Sequence, residues 1–257
     1  MESTMKASWA QRIAADIRTS ILVCTRLPLG LSTRIESADV AHASWALPVA
    51  GALVGGAGAS AFWLASELTL PPAIAAAFAL VATLLITGCL HEDGLADTAD
   101  GFGGGWDRAR KLEIMRDSRL GTYGACALGM SLLIRWAALA VVTSPVRAAA
   151  VLMAAHVAAR AALPAFMHIP PARADGLAAQ AGRPPLRGAV VAGLIGVLTL
   201  ALTLGLPAMA IGLALATAAG FLMAWLCLRQ IGGQTGDVLG ALEQVIEIVI
   251  MLTAVAT

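Results

Sequence analysis

Apolar residues run through this chain in seven long stretches, separated by shorter polar segments. The stretches cover 40–68, 71–90, 121–142, 146–167, 188–206, 207–228 and 237–257. Each is close to or above the roughly 20 apolar residues that a helix needs to cross a bilayer. An eighth run, 17–31, is shorter and is broken by Arg26 and Pro28. It reads as a helix that lies on the membrane or half enters it. Trp45 and Trp63 are 18 residues apart, about 27 Å along a helix. That spacing suits one aromatic anchor at each interface of the first span. The pattern predicts an all-α, polytopic helical membrane protein with about seven transmembrane helices and an N-terminal interfacial helix. The whole chain, 1–257, reads as a single integral membrane domain. Within it, 1–39 forms the N-terminal interfacial segment, and 91–120 forms a cytoplasmic loop and helix that carries the chemistry.

Composition agrees. The chain is 59% hydrophobic and 13% charged, with a mean hydropathy of +0.81, whereas soluble domains average about 25% charged residues. Net charge is +1 with no basic stripe, so nothing points to nucleic acid. Cys24, Cys89, Cys126 and Cys227 are widely spaced and read as small buried hydrophobes rather than metal ligands. No cleavage site for a signal peptide follows the first apolar run. Lys and Arg decide the orientation. Lys6, Arg12, Arg18, Arg26 and Arg34 lie before the first span, and Arg108, Arg110, Lys111, Arg116 and Arg119 lie in 91–120. Arg173, Arg183, Arg187 and Arg229 lie in later loops of the same side, and the opposite loops hold only Arg147. The bias predicts a multi-pass protein of the cell inner (cytoplasmic) membrane, with the N-terminus and the 91–120 loop in the cytoplasm and the C-terminus outside. Gly and Ala crowd the spans, as in GALVGGAGAS at 51–60, which lets helices approach closely.

Polar chemistry is concentrated at one place. Seven of the sixteen acidic residues fall between Glu92 and Asp117, the densest run being HEDGLADTADG at 91–101. On a helix, Asp93, Asp97 and Asp100 stand at i, i+4 and i+7 and share one face. Carboxylates this close repel, so they need a cation between them or must take up protons. Mg²⁺ prefers oxygen ligands and commonly bridges carboxylates to substrate phosphates. A solvated acidic face, or a proton or cation pathway through the membrane, would carry the same residues. Gly94 and Gly101 follow aspartates and allow a phosphate or a helix to come close. Gly103–Gly105 read as a flexible loop, without the Gly-Lys-Ser/Thr of a nucleotide-binding loop.

Cationic residues follow. Arg116, Asp117, Ser118 and Arg119 suggest anion binding with a further metal ligand, while Arg108 and Arg110 read as ordinary inside-loop charge. Lys111 stands with the phosphate-binding candidates. Arg135 and Arg160 lie within spans, where an arginine requires a partner. Arg160 suits either a phosphate or an acidic partner. Asp237, after GGQTG, stands where it can join the acidic cluster. Glu243 and Glu247, at i and i+4, need partners, and Arg135 and Arg160 are the simplest. His91 abuts the carboxylates and suits a structural role or a base; His42, His156 and His168 carry no assignment. No GxSxG elbow is present.

LHEDGLADTADGFGGG, followed by KLEIMRDSRLGTYG, resembles the signature of the cobalamin synthase (adenosylcobinamide-GDP ribazoletransferase) family. CTRLPLG at 24–30, LPVAGALVGG at 47–56 and GGQTGDVLGALEQ at 232–244 extend the resemblance over most of the chain. The resemblance implies a cytoplasmic-membrane enzyme using Mg²⁺. It would join adenosylcobinamide-GDP to α-ribazole or its 5′-phosphate and release GMP, the last assembly step of the cobalamin nucleotide loop. Asp93, Asp97, Asp100 and Asp117 match the family's acidic positions, and Asp237 its TGD motif. Asp97, Asp100 and Asp93 are then the catalytic candidates. Asp93, Asp97, Asp100, Asp117 and Asp237 are the metal ligands, with Asp100 or another free carboxylate as base. Arg116, Arg119, Lys111, Ser118, Arg160 and Gly101 are the substrate- or phosphate-binding set. The expected partners are the corrinoid-GDP and α-ribazole substrates and the lipid bilayer, with a homo-oligomer compatible and a Gly/Ala-lined groove for the corrinoid. Two rivals use similar residues: a CDP-alcohol-type lipid phosphotransferase, whose DxxDG opening fits Asp97–Gly101 but whose following Ala-Arg is absent, and a divalent cation transporter.

Overall fold

A computed structural model describes residues 8–29 and 37–257. Lys6 and Arg34, used above for orientation, and Gly30 of the CTRLPLG segment lie outside the described residues. Among the described residues the chain is helical and no β-strand forms. The helices are α1 (Trp9–Cys24), α2 (Ser37–Ala43), α3 (Leu47–Glu67), α4 (Pro72–Thr87), α5 (Leu90–Gly104) and α6 (Arg108–Ile114). They continue with α7 (Thr122–Ala140), α8 (Pro145–Phe166), α9 (Leu177–Ala181), α10 (Leu186–Leu204), α11 (Leu206–Ile231) and α12 (Gly236–Ala256).

Among the described residues, six helical segments are long and apolar enough to cross a membrane, containing α3, α7, α8, α10, α11 and α12. Side-chain contacts bear on a seventh crossing. Trp136, near the end of α7, donates to the Ala73 carbonyl at the start of α4. Asp100, beyond the end of α4, meets the start of α7. These contacts set α4 antiparallel to α7, and with α4 and α5 taken as one bent span the candidate crossings among the described residues number seven, as expected. α4 itself ends at Thr87 rather than at residue 90. There Gly88 and Cys89 both take left-handed backbone (φ 64° and 58°), and the axis turns by 87° into α5. For Cys89 that conformation costs about 1–2 kcal/mol. At Gly88 a Cβ would stand 2.5 Å from the Arg26 side chain. Segment 91–120, expected as loop and helix, holds α5 and α6. Gly103 and Gly104 belong to α5 rather than to a flexible loop, and Gly103 makes room for the Tyr123 ring.

The N-terminal helix is displaced from the expected 17–31. It starts at Trp9, where Ser8 and Gln11 form a reciprocal capping box, and it ends at Cys24, before Thr25 and Pro28. One end is exposed at Trp9 and the other is buried at Cys24, so it half enters the bundle. Small residues set the closest crossings. A Cβ on Gly51 would lie 2.4 Å from the His156 carbonyl, and one on Gly55 2.9 Å from the Leu152 carbonyl, so α3 and α8 touch backbone to backbone.

Charged side chains are buried at mid-bundle. Arg135 of α7 sits 3.0 Å from both Glu92 and Glu247. Arg160 of α8 sits 2.6 Å from Glu243, and His156 is 3.1 Å from Glu247. Gln244 donates to Glu92 and Glu243, and Ser131 donates to Gln244. The expected pairing of Glu243 and Glu247 with the two intramembrane arginines is what forms. His91 is buried beside Arg160 and Glu243, which gives it a place in this network rather than a solvent-facing one.

Candidate active site

The acidic face of α5 is real, but it divides. Asp93 is exposed, Asp97 is half-buried and Asp100 is buried. α5 lies tightly on the start of α12: a Cβ on Gly94 would meet the Asp237 carbonyl at 2.8 Å and the Gly240 Cα at 3.2 Å. Asp237 follows the cap of α12, where Thr235 accepts from the Val238 amide. This packing brings Asp93, Asp97 and Asp237 into one electrostatic group. Asp97 records it: partial burial first, then the charges of Asp93, Asp237 and Asp100, push its carboxyl up to about 7.

Asp100 is turned elsewhere. Its two carboxylate oxygens accept the Gly121 amide at 2.7 Å and the Gly124 amide at 2.8 Å, at the start of α7, where free N–H groups favour a negative charge. A Cβ on Gly124 would stand 2.3 Å from this carboxylate. Asp100 thus anchors α5 to α7, and its engaged oxygens are not those of a free base.

Several other candidates also sit apart from the carboxylate group. Asp117 is held by Arg119 at 2.5 Å, and this bonding lowers its carboxyl to about 2. Arg116 is paired with Asp175 at 2.5 Å. Ser118 is exposed between them. Gly101 leaves space for Met115, whose side chain a Cβ would meet at 2.4 Å, so it admits α6 rather than a phosphate. Lys111 bonds Gln230. Arg160, 1% exposed and paired with Glu243, is a structural partner and not a phosphate ligand.

One residue near the carboxylates carried no site assignment in the sequence. Arg173 places Nη2 3.6 Å from Asp237 Oδ2. Its loop is clamped to the α11–α12 turn: the Ala172 amide donates to Gln234, and the Gln234 amide donates to Pro170. Arg108 also donates to the Ala172 carbonyl at 2.6 Å. No spacing rule connects 173 with 93 or 237. The only signal was one more arginine in a basic loop.

The donor set suits a hard divalent cation, being three carboxylates from two helices in contact. Among the described residues, the trio whose ligand atoms converge within 4.8 Å is instead His156, Glu243 and Glu247. There Arg135 and Arg160 already neutralise the carboxylates. Mg²⁺ needs only one or two carboxylates and completes its shell with water and phosphate, so two of Asp93, Asp97 and Asp237 would suffice to hold it. A separate apolar groove of about 480 Å³ runs between α8, α10, α11 and α12, lined by Ala161, Gly193, Gly196, Ala216 and Gly220 among others and by none of these acids.

The α5–α12 contact makes a direct prediction. Gly94→Ala pushes the two helices apart at backbone level, where neither can yield cheaply. Turnover should fall by about 100-fold, as expected for misplacement near 1 Å, while the helical circular dichroism spectrum persists. Wild-type turnover in that variant would show that the contact does not position the acids.

No solved structure matches the chain. A curated adenosylcobinamide-GDP ribazoletransferase of Bradyrhizobium diazoefficiens is 55% identical over 247 residues, covering 96% of this chain and 95% of the relative. Proteins of the same name from Mesorhizobium japonicum (50% identical, covering 95% and 94%) and Azorhizobium caulinodans (45% identical, covering 94% and 95%) also match. The family model described as cobalamin-5-phosphate synthase matches residues 16–255. With nearly its whole length matched, the chain belongs to the cobalamin-5-phosphate synthase family.

Proposed function

We infer that this protein is a membrane transferase that joins adenosylcobinamide-GDP to α-ribazole, or to its 5′-phosphate, and releases GMP. Family membership carries the reading, together with relatives named for this reaction at up to 55% identity. It assembles the nucleotide loop of cobalamin. Neither the lipid phosphotransferase nor the transporter is favoured by these relatives. The fold has the several apolar helices of a multi-pass membrane protein. The basic loops argue for an inner-membrane location with the acids facing the cytoplasm, where soluble nucleotides arrive.

Asp93, Asp97 and Asp237 would hold Mg²⁺, which when bound supplies the positive charge that a reacting diphosphate requires. The chain's own task is positioning, because phosphoryl transfer needs little covalent help. The ribazole hydroxyl attacks the phosphorus on the cobinamide side, the bond from that phosphorus to the bridging oxygen breaks, and GMP departs. The hydroxyl proton passes to a carboxylate oxygen of the aspartate group. Asp100 keeps α5 seated against α7, so that Asp97 and Asp93 face the substrate together. Lys111 lies on the adjoining α6 and Arg116, Ser118 and Arg119 on the turn that follows it, and they would meet the outer, nucleotide end of the substrate. The exposed pairs of Arg116 and Arg119 open at little cost, since water and salt screen surface ion pairs.

The test is GMP release by the purified protein from adenosylcobinamide-GDP and α-ribazole under titrated Mg²⁺. CDP-diacylglycerol serves as the competing donor and should give no product. Protons and metal compete for Asp97, whose carboxyl sits at about 7. Below that pH the Mg²⁺ concentration for half-maximal rate should therefore climb, by about tenfold per unit when one proton is displaced per cation. Above pH 8 it should level off. A requirement that stays flat between pH 6 and 8 would remove Asp97 from the metal group.

A further inference from the structure

Arg173 stands at the edge of the aspartate group with its hydrogen-bonding capacity almost unused. An arginine offers five N–H donors in a rigid fork. Here Nη1 reaches the Leu112 carbonyl only at 3.5 Å. Nη2 is 3.6 Å from Asp237, too long for a hydrogen bond. Nε is buried and has no partner. That nitrogen lies out of reach of water, and a buried donor left alone is unfavourable. Its loop is nevertheless fixed, through the Pro170, Ala172 and Gln234 backbone bonds and through Arg108. A Cβ on Gly176 would stand 3.0 Å from the same Nε, so the glycine gives the guanidinium its place without offering it an acceptor side chain. A fixed guanidinium with idle donors, beside carboxylates that call for a cation, describes a place for an anion and a cation together. A diphosphate with its metal is such a ligand, and an arginine fork fits phosphate oxygens two at a time.

We propose that Arg173 is the diphosphate-recognising residue of this site, turning its unused donors to phosphate oxygens of the nucleotide substrate that lies against Asp93, Asp97 and Asp237. The assignment rests on the reading of the protein as an adenosylcobinamide-GDP-consuming enzyme. It adds a residue to the binding set and sets it apart from Arg116 and Arg119, whose donors are engaged by Asp175 and Asp117.

The experiment compares wild type with Arg173→Gln and Arg173→Lys in the full-length membrane protein, by GMP release and by binding of inorganic pyrophosphate. Removing a charge-assisted bond should raise KM for adenosylcobinamide-GDP by about 10–100-fold. Pyrophosphate affinity should weaken in parallel, and the Mg²⁺ concentration for half-maximal rate should stay within about twofold of wild type. Arg173→Lys should recover part of the affinity, because charge returns without the fork. An unchanged KM together with unchanged pyrophosphate binding overturns the proposal. So does a shift confined to the Mg²⁺ requirement, which would mean that Arg173 only steadies Asp237. Should wild type release no GMP, the functional reading fails by itself. Pyrophosphate binding then still decides whether Arg173 serves an anion.

Discussion

Asp97→Asn should lower GMP release by about 10³-fold or more. Asparagine keeps the size and one acceptor oxygen but removes the charge, and the charge of a metal-holding carboxylate is worth several kcal/mol at the transition state. Folding should survive. Asp97 is only half-buried, and its carboxyl is held up to about 7 by burial and by Asp93, Asp237 and Asp100. Neutralising it relieves repulsion at neutral pH, so the thermal midpoint in detergent should hold or rise. Activity lost together with the fold would point to a structural role, and activity kept would end the metal model. Asp100→Asn makes a useful contrast. Its carboxylate accepts two amides at the start of α7, and an asparagine serves only one. Its loss should therefore register in stability as well as in rate.

The second large effect is on stability. Arg160→Leu leaves Glu243 buried without its guanidinium, 2.6 Å away in the native protein. Breaking a buried pair from one side costs about 3–5 kcal/mol. The expected result is a markedly lower unfolding midpoint, or no recoverable protein. Arg160→Leu combined with Glu243→Leu should regain most of that loss, because removing both charges also removes the desolvation penalty. Were Arg160 a phosphate ligand, the double variant would stay inactive however stable it became. Retained GMP release in the double variant is the outcome that its burial predicts.

Much of this was legible in the chain because helical period and charge bias act locally. Asp93, Asp97 and Asp100 could be put on one helix face from spacing alone, and GGQTGD marked Asp237 at a span's start. Arg135 and Arg160 announced partners because an unpaired guanidinium has no place in hydrocarbon. What stayed hidden depends on distant contacts. Asp100 turns to α7 because Gly121 and Gly124 leave room for its carboxylate, which no i, i+4 rule expresses. Arg173 reaches Asp237 only because residues 170–172 are clamped to Gln234. The turn at Gly88–Cys89 was unreadable for a different reason: a cysteine gives no sequence signal for left-handed backbone. The start of α1 was available in the Ser8–Gln11 capping box, and the apolar run at 17–31 concealed it.

The mid-bundle ion pairs bear on how the molecule is made. Synthesis delivers α8, with Arg160, well before α12, which carries Glu243 and Glu247. Until that helix inserts, Arg160 lacks its carboxylate, and Arg135 can lean only on Glu92. Insertion of α12 should therefore latch the bundle during biogenesis, and a nascent chain that stalls before it leaves Arg160 without its carboxylate.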